Sequence, residues 1–457
     1  MSEQKGPPFE AHAVRPFTPP AASGSTLFTA FCALVLFNAV DAWDIGPVPI
    51  QWLVRIGIIG VALWQMLEGR LFFAPGSAWL LAFLSWGIFV TASVTIVNNP
   101  STQMPAAATT SYSVYVLLRF VNLFAFLGML QLVYTLCHAG HTIAVRRWMV
   151  FAGAVVAVFS LYVYFAQTLG LPFPARTRLD TNASMDHVTT FSGAVHRAIG
   201  PFREPSMLAE WLILPLFLSF IEKKPWSQLA AVLIMASILL TASLTGIFGA
   251  VVGLGIGILV TNPFRREKLK LVAQIAVVFL LSLILFQTFV VSNFAEQISL
   301  FGLLFERISP ILQGGVLESN RSYVWEYVSK VPIPFLGDGF GNPNLAFARY
   351  LGADLPASFL SVYFNTAYST GWIGLVLIGG FLLSPLRRLW VTVIHPADDR
   401  ELFLLTTAYC GWLVMYAVHS EELSPLFAVA FALLASIPSR REAECAFAST
   451  RLDSRAS

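Results

Sequence analysis

Charged residues are few in this sequence. Asp, Glu, Lys and Arg make up 12% of its 457 residues, against 56% hydrophobic. Soluble globular domains carry about 25% charge, so a chain wetted over its whole surface is excluded. The mean hydropathy of +0.71 says the same. A net charge of +3, with the basic residues scattered, argues against nucleic acid as a partner. Cysteine is nearly as scarce. Cys32, Cys137, Cys410 and Cys445 form no CxxC pair, so neither a disulfide framework nor a cysteine metal site is indicated. His138 and His141 have no carboxylate or cysteine at ligand spacing, so no metal is assigned to them either. The opening stretch, MSEQKGPPFEAHAVRPFTPPAASGS, is polar, Pro-rich and contains acids as well as bases. It is expected to be a disordered cytoplasmic terminus over 1–24 and not a cleavable signal peptide.

What the sequence does have is long apolar runs. They recur over about 26–42, 50–67, 78–97, 114–137, 148–169, 206–221, 226–242, 244–261, 269–292, 358–384, 402–419 and 423–438. Runs of about 17–25 apolar residues suit helices that span a bilayer, where each backbone polar group must be satisfied internally. The fold class expected is therefore all-α: a polytopic membrane protein of about twelve transmembrane helices in one domain, 25–438, with a cytoplasmic tail over 439–457. Only SLTG separates the seventh and eighth runs, which leaves open one broken helix there. With both termini in the cytoplasm, short inner loops collect Arg70, Arg146, Arg147, Lys223, Lys224, Arg265, Arg266, Lys268, Lys270, Arg387, Arg388 and Arg400, as the positive-inside preference requires. The outer loops at 43–49 and 98–113 hold no basic residue.

Two large outer (periplasmic) loops, about 170–205 and 293–357, break that pattern. They carry Arg176, Arg178, Arg197, Arg203, Arg307, Arg321, Lys330 and Arg349. In the first loop, AVHRAIGPFREPSMLAEWLILPL, Gly200-Pro201 reads as a turn and Pro205 as the first residue of a helix. Arg197, Arg203 and Glu204 then sit at a helix N-terminus, whose dipole adds positive charge to two planar, permanently ionised forks. That seat suits a phosphate or pyrophosphate, with Glu204 placed to accept a proton from a hydroxyl. The alternative is an Arg–Glu surface pair with a carboxylate at the helix dipole.

In the second loop, Arg321 to Lys330 reads as an amphipathic helix with Tyr323, Val324, Tyr327 and Val328 on one side. The turn Gly337-Asp338-Gly339-Phe340-Gly341-Asn342 follows it. No Gly-Lys-Ser/Thr follows, so this is not a P-loop. Its amides face either a ligand or the protein's own backbone. Within the spans, Arg119 stands out as a charge that faces a cavity, a partner or the interface, and Arg55 as a snorkelling cation. Gly249, Gly253 and Gly257 read as a close-packing ridge.

At these same segments the chain resembles the O-antigen ligase and Wzy-type polysaccharide polymerase superfamily. The resemblance rests on HRAIGPFREPSMLAEW, TASLTGIFGAVVGLGIGILV, SNRSYVWEYVSKVPIPFLGDGFGN and SVYFNTAYSTGWIGLVL, in this order over about 190–440. It implies a C-type glycosyltransferase-like fold in the bacterial inner membrane. It also implies an undecaprenyl-pyrophosphate-linked saccharide as donor and acceptor, and no metal or other cofactor. The donor pyrophosphate would be held by Arg197, Arg203 and Arg321, with Glu204 and Arg203 as catalytic residues. Arg119, Arg307 and Asp338 are secondary candidates. Ligases of the superfamily usually carry a histidine in the stretch that here runs from Pro356 to Gly371 without one. That favours a polymerase of lipid-linked repeat units, making exopolysaccharide, capsule or O-antigen. The doubled Arg-x10-Gly motifs of some polymerases are absent as well.

The alternatives are a ligase to lipid A core, a lipid-linked sugar flippase or transporter, and a scaffold of an export complex. A chain-length regulator or export complex is the further partner that such a polymerase would have. Trp211, Trp325, Tyr323 and Tyr327 are available as sugar-stacking faces, although interface belts use the same residue types.

Overall fold

The structure is a computed structural model that describes residues 21–46, 48–105, 107–108, 110–177, 190–191, 195–222, 224–260, 266–286, 322–391, 399–418 and 422–437. Helices occupy all twelve of the apolar runs. They are α1 (Ala21–Asn38), α2 (Ile50–Leu67), α3 (Ser77–Asn98), α4 (Tyr112–His138), α5 (Thr142–Leu169), α6 (Pro205–Ser219), α7 (Pro225–Leu240), α8 (Leu244–Val260) and α9 (Arg266–Phe286). Two short helices follow, α10 (Ser322–Lys330) and α11 (Asn342–Leu351), then α12 (Val362–Val391), α13 (Asp399–Met415) and α14 (Pro425–Ala435). Among the described residues strand is confined to two antiparallel pairs of two residues, Asp44–Ile45 with Val48–Pro49 and Thr190–Phe191 with Val195–His196.

Proline sets several helix starts, because its fixed φ suits the first turn and its missing N–H is not needed there. Pro205, Pro225 and Pro425 each occupy that position. Between the seventh and eighth runs the chain turns at Thr241–Ser243, with Ala242 at φ 46°, and the rest of SLTG already belongs to α8.

Among the described residues, five helices are long and apolar enough to cross a membrane: Ile50–Leu67, Ser77–Asn98, Tyr112–His138, Thr142–Gln167 and Val362–Leu386. Five more apolar helices are shorter: Ser25–Asn38, Pro205–Ser219, Pro225–Leu240, Leu244–Val260 and Pro425–Ala435. α9 opens with Arg266, Glu267, Lys268 and Lys270, and α13 with Asp399, Arg400 and Glu401. The architecture is thus all-α and membrane-like, with five helices long enough to span among the described residues where about twelve were expected in the chain.

Burial sorts the helices into centre and rim. α14 is buried along its whole length, and so is α6 from Leu208 to Ser219. A helix apolar all round belongs in the interior. Around them, α2 and α3 turn Leu53, Ile56, Leu63, Ile88, Phe89, Ile96 and Val97 outward. Exposed apolar faces of that extent suit a lipid surround. The glycine ridge of α8 packs as the sequence suggests. A Cβ on Gly253 would lie 2.5 Å from the Thr407 carbonyl oxygen and 2.7 Å from the Gly411 nitrogen of α13. Backbones that close leave no room for any side chain.

The connections sort into two ends of the bundle. At one end Arg146 pairs with Glu401 and Arg147 with Glu222, while Arg400 donates to the Phe220 carbonyl. These are the short connections. At the other end lie the two long loops, and there Asp41, Trp43, Thr241, Tyr416 and Glu422 meet residues of those loops or of neighbouring helix ends.

α12 is two helices joined at a break. Gly371 sits at φ 67°, ψ −165°, and a Cβ there would press on the Phe335 carbonyl at 2.2 Å. The carbonyls freed by the break are taken up by neighbours. Asp338 N donates to Tyr368 O (2.9 Å), Gly339 N to Ser369 O (2.8 Å) and the Trp86 indole to Thr370 O (2.8 Å). Trp372 N, in turn, donates to Phe335 O (3.1 Å). The turn of alternating glycines therefore repairs the helix break, which decides which way its amides face. Gly337, Gly339 and Gly341 all have positive φ, the backbone that this close docking demands.

Candidate functional site

The segment 197–204 enters α6 as a compact turn whose backbone is held from three sides. Asp41 N and Ala42 N both donate to Pro201 O, at 3.0 and 3.1 Å, and Ala198 N donates to Leu240 O at 2.9 Å. Gly200, at φ 52°, lies so close to α5 that a Cβ would meet the Ser160 hydroxyl. Two arginines of this turn bond outward to its neighbours, and a third, Arg176, bonds its backbone. Arg203 Nε is 3.0 Å from Asp41 Oδ2, a carboxylate with no solvent exposure. Arg197 Nε donates to the Thr241 carbonyl at 2.8 Å, and the Arg176 guanidinium donates to the Gly200 carbonyl at 3.2 Å. Burial pushes the Arg176 guanidinium down to about 10 from its ordinary value, since removal from water disfavours the charged form. The loop bearing it is tied down by Trp43, whose indole donates to Ala175 O, and by Asp44 N, which donates to the Thr177 hydroxyl.

Glu204 is the residue flanking α6, in extended backbone, with Pro205 next. Its carboxylate accepts from the Ser206 hydroxyl at 3.1 Å and makes no side-chain cap. It is half-buried beside Arg203 in the chain. Two guanidinium groups, a carboxylate and a helix N-terminus thus share one turn, as the sequence suggests, and Arg176 joins them. Arg203 has a second duty that the sequence does not reveal: it neutralises a buried acid 162 positions away. Arg321, Arg307 and Arg178 lie outside the described residues.

Arg119 is paired, two turns into α4. Its guanidinium bonds Glu422 Oε1 and the Tyr115 hydroxyl, each at 2.8 Å, and Asn122 donates to the other oxygen of Glu422. A cleft of about 20 Å³ lies beside this pair, lined by Phe83, Phe340, Asn365 and Thr366. That is room for one water and not for a sugar ring. A wider groove of about 640 Å³, lined by Phe28, Trp148, Phe151 and Trp226, lies at the opposite end of the bundle beside Arg147. It is remote from every candidate residue. Arg55 rests over the ring of Trp52 at 4.3 Å.

The second long loop folds into a small aromatic cluster on the long-loop end. Val324 and Tyr327 of α10 are buried against Phe347, Phe359 and Tyr368, with Tyr323 and Val328 packed beside them. The amphipathic face of α10 is the one the sequence gives. The stacking faces need correction: Trp211 and Tyr327 are buried, at 4% and 5% exposure, and present no ring to a sugar. Trp325 is exposed, with its ring edge-to-face against Phe364. Asp338 is solvent-exposed, yet the protein around it desolvates the carboxyl and raises its pKa.

Asp41, Glu422 and Asn122 escaped the sequence reading. Asp41 and Glu422 are acids in short connections, and nothing local marks them as partners of arginines far along the chain. Among the described residues no three His, Cys, Asp or Glu side chains come close enough to hold a metal ion. In comparison with known proteins, no family model and no curated protein matches the sequence.

Proposed function

We propose that this protein is a membrane glycosyltransferase that joins polyprenyl-pyrophosphate-linked saccharide units, seating the donor pyrophosphate on the turn 197–204. One observation carries the reading: Arg197 and Arg203 lie in a single restrained turn that opens a helix, and Arg176 bonds the backbone of that turn. Bidentate forks and a helix N-terminus together favour phosphate oxygens, and the restrained backbone presents them without reorganisation. A saccharide hydroxyl attacks the anomeric carbon, the carbon–oxygen bond to the pyrophosphate breaks, and the hydroxyl proton leaves to a base. Glu204, which ends this turn and accepts from Ser206, is the carboxylate assigned as that base. The arginines stabilise the charge that grows on the departing pyrophosphate. In this reading the long-loop end faces the periplasm, the termini are cytoplasmic, the membrane is the bacterial inner membrane, and Arg321 joins from the second loop.

The test is complementation of a strain lacking the protein, with Arg197→Ala, Arg176→Ala and Arg321→Ala at matched membrane abundance. The readouts are polymer length and the pool of lipid-linked single units. Loss of long polymer with single units accumulating on the outer leaflet is the result expected. Accumulation on the inner leaflet would assign a flippase, and wild-type behaviour of all three variants would remove the turn from the site.

A further inference from the structure

The segment 331–341 reads in the sequence as part of a water-exposed loop. Its contacts place it elsewhere. Phe340 N donates to the Thr91 hydroxyl at 2.9 Å, a Cβ on Gly339 would touch the Cα of Thr91, and one on Gly87 would enter the Phe340 ring. Thr91 is seven residues short of the end of α3 at Asn98. At 1.5 Å per residue that is about 10 Å below the helix end. α12 supplies a second ruler. Gly371, which presses on Phe335, lies nine residues in from Val362. By the same rise that is about 14 Å. Two helices of spanning length therefore agree that the turn descends well below their long-loop ends.

Non-helical backbone is tolerated at such depth only if its polar groups find partners in the protein. Asp338 N, Gly339 N, Phe340 N and the Phe335 carbonyl all do so, as does the Asp338 carbonyl, which accepts from the Asn342 amide at 2.6 Å. The side chains at the tip point away from these partners. Phe335 is 67% exposed and Leu336 53%. They adjoin Trp372, 52% exposed, whose helix continues outward-facing through Val376 and Leu383. That stripe belongs to a helix apolar and long enough to span a membrane. The apolar tip is thus continuous with a face suited to lipid.

We infer that residues 331–341 form a re-entrant segment whose Phe335 and Leu336 side chains reach into the leaflet at the long-loop end from the headgroup boundary, where headgroups and water still reach the backbone of the tip. The occupant of the exposed patch is phospholipid. The segment acts as an anchor: it fixes the aromatic cluster of α10 and α11 at a set height on the bilayer surface, through apolar area on one side and the α12 break on the other. The inference does not depend on the enzymatic reading.

The experiment uses the full chain with its four cysteines replaced, carrying Phe335→Cys or Leu336→Cys, labelled with bimane and reconstituted in phosphatidylcholine vesicles. Ser329→Cys, on the exposed side of α10, is the aqueous reference. Variants are compared only when they elute as the wild type does. Nitroxide-labelled phosphatidylcholine should quench the probes at 335 and 336 at least threefold more than iodide does, with the order reversed at 329. Iodide quenching at 335 and 336 equal to that at 329 overturns the inference. So does silence of the lipid quencher with disulfide dimers forming through Phe335→Cys, which would assign the patch to a second copy of the chain.

Discussion

Removing Arg203 should unfold this protein more readily than removing any other arginine of the turn. The Asp41 side chain has no solvent exposure, and Arg203 Nε is 3.0 Å away. Arg203→Ala would leave a buried carboxylate without that cation, and breaking such a pair from one side costs about 3–5 kcal/mol. The arginine keeps 22% of its side chain in solvent, so the lower end, about 3 kcal/mol, is expected. Asp41→Ala costs less, about 1–2 kcal/mol, because the freed guanidinium can recover water. The double variant removes both charges and should lie near the milder single one, a coupling of about 3 kcal/mol.

The assay is thermal unfolding in detergent at one scan rate and one protein concentration, read by intrinsic fluorescence. At about 2 °C per kcal/mol for a large chain, Arg203→Ala should lower the apparent midpoint by about 6 °C, and the double variant should regain about half of that. Irreversible unfolding makes comparison between variants, and not the absolute midpoint, the quantity of interest. A fall of less than about 1 °C for Arg203→Ala, or additive effects in the double variant, would refute the reasoning by showing the pair to be a solvated contact. The outcome also governs how function is probed. If Arg203 is a lock, loss of polymer in Arg203→Ala says little about pyrophosphate, and Arg197→Ala is the informative variant.

Two other expectations follow from packing and titration. Gly253→Ala should destabilise by about 1–3 kcal/mol, since its Cβ meets backbone of α13 at 2.5 Å, while Gly255→Ala, with open space at its Cβ, should be neutral or slightly stabilising; parallel midpoints check both. Burial in the aromatic cluster pushes the Tyr327 hydroxyl up to about 12, so its neutral form is favoured in the fold. Its contribution is then complete below pH 10 and is lost as pH rises from about 10 to 12; Tyr327→Phe should flatten alkaline unfolding across that window by about 1–2 kcal/mol, measured by stability at stepped pH, and an unchanged slope would exclude the residue.

Much of the helical layout was written in local pattern. Apolar runs find their helices because in an apolar medium the backbone has no other way to satisfy itself, and Pro205, Pro225 and Pro425 mark starts by a constraint that acts within one residue. The glycine ridge of α8 and the apolar side of α10 were equally legible, since each is a periodicity on a single helix. The turn at Gly200-Pro201 and the grouping of Arg197, Arg203 and Glu204 likewise lie within eight positions of sequence.

Local pattern thus settles which segments are helices and which face of each is apolar or small. What the polar residues do follows from packing alone. Arg203 meets Asp41 across 162 positions, Arg119 meets Glu422 across 303, and the turn at Phe340 meets Thr91 across 249. The reason is physical. Helix formation is settled by groups a few residues apart, whereas the partner of a buried charge or a freed carbonyl is whichever group the packed helices bring to the same depth. No local rule records that depth, so a glycine-rich stretch that reads as a wet loop becomes the repair of a broken helix.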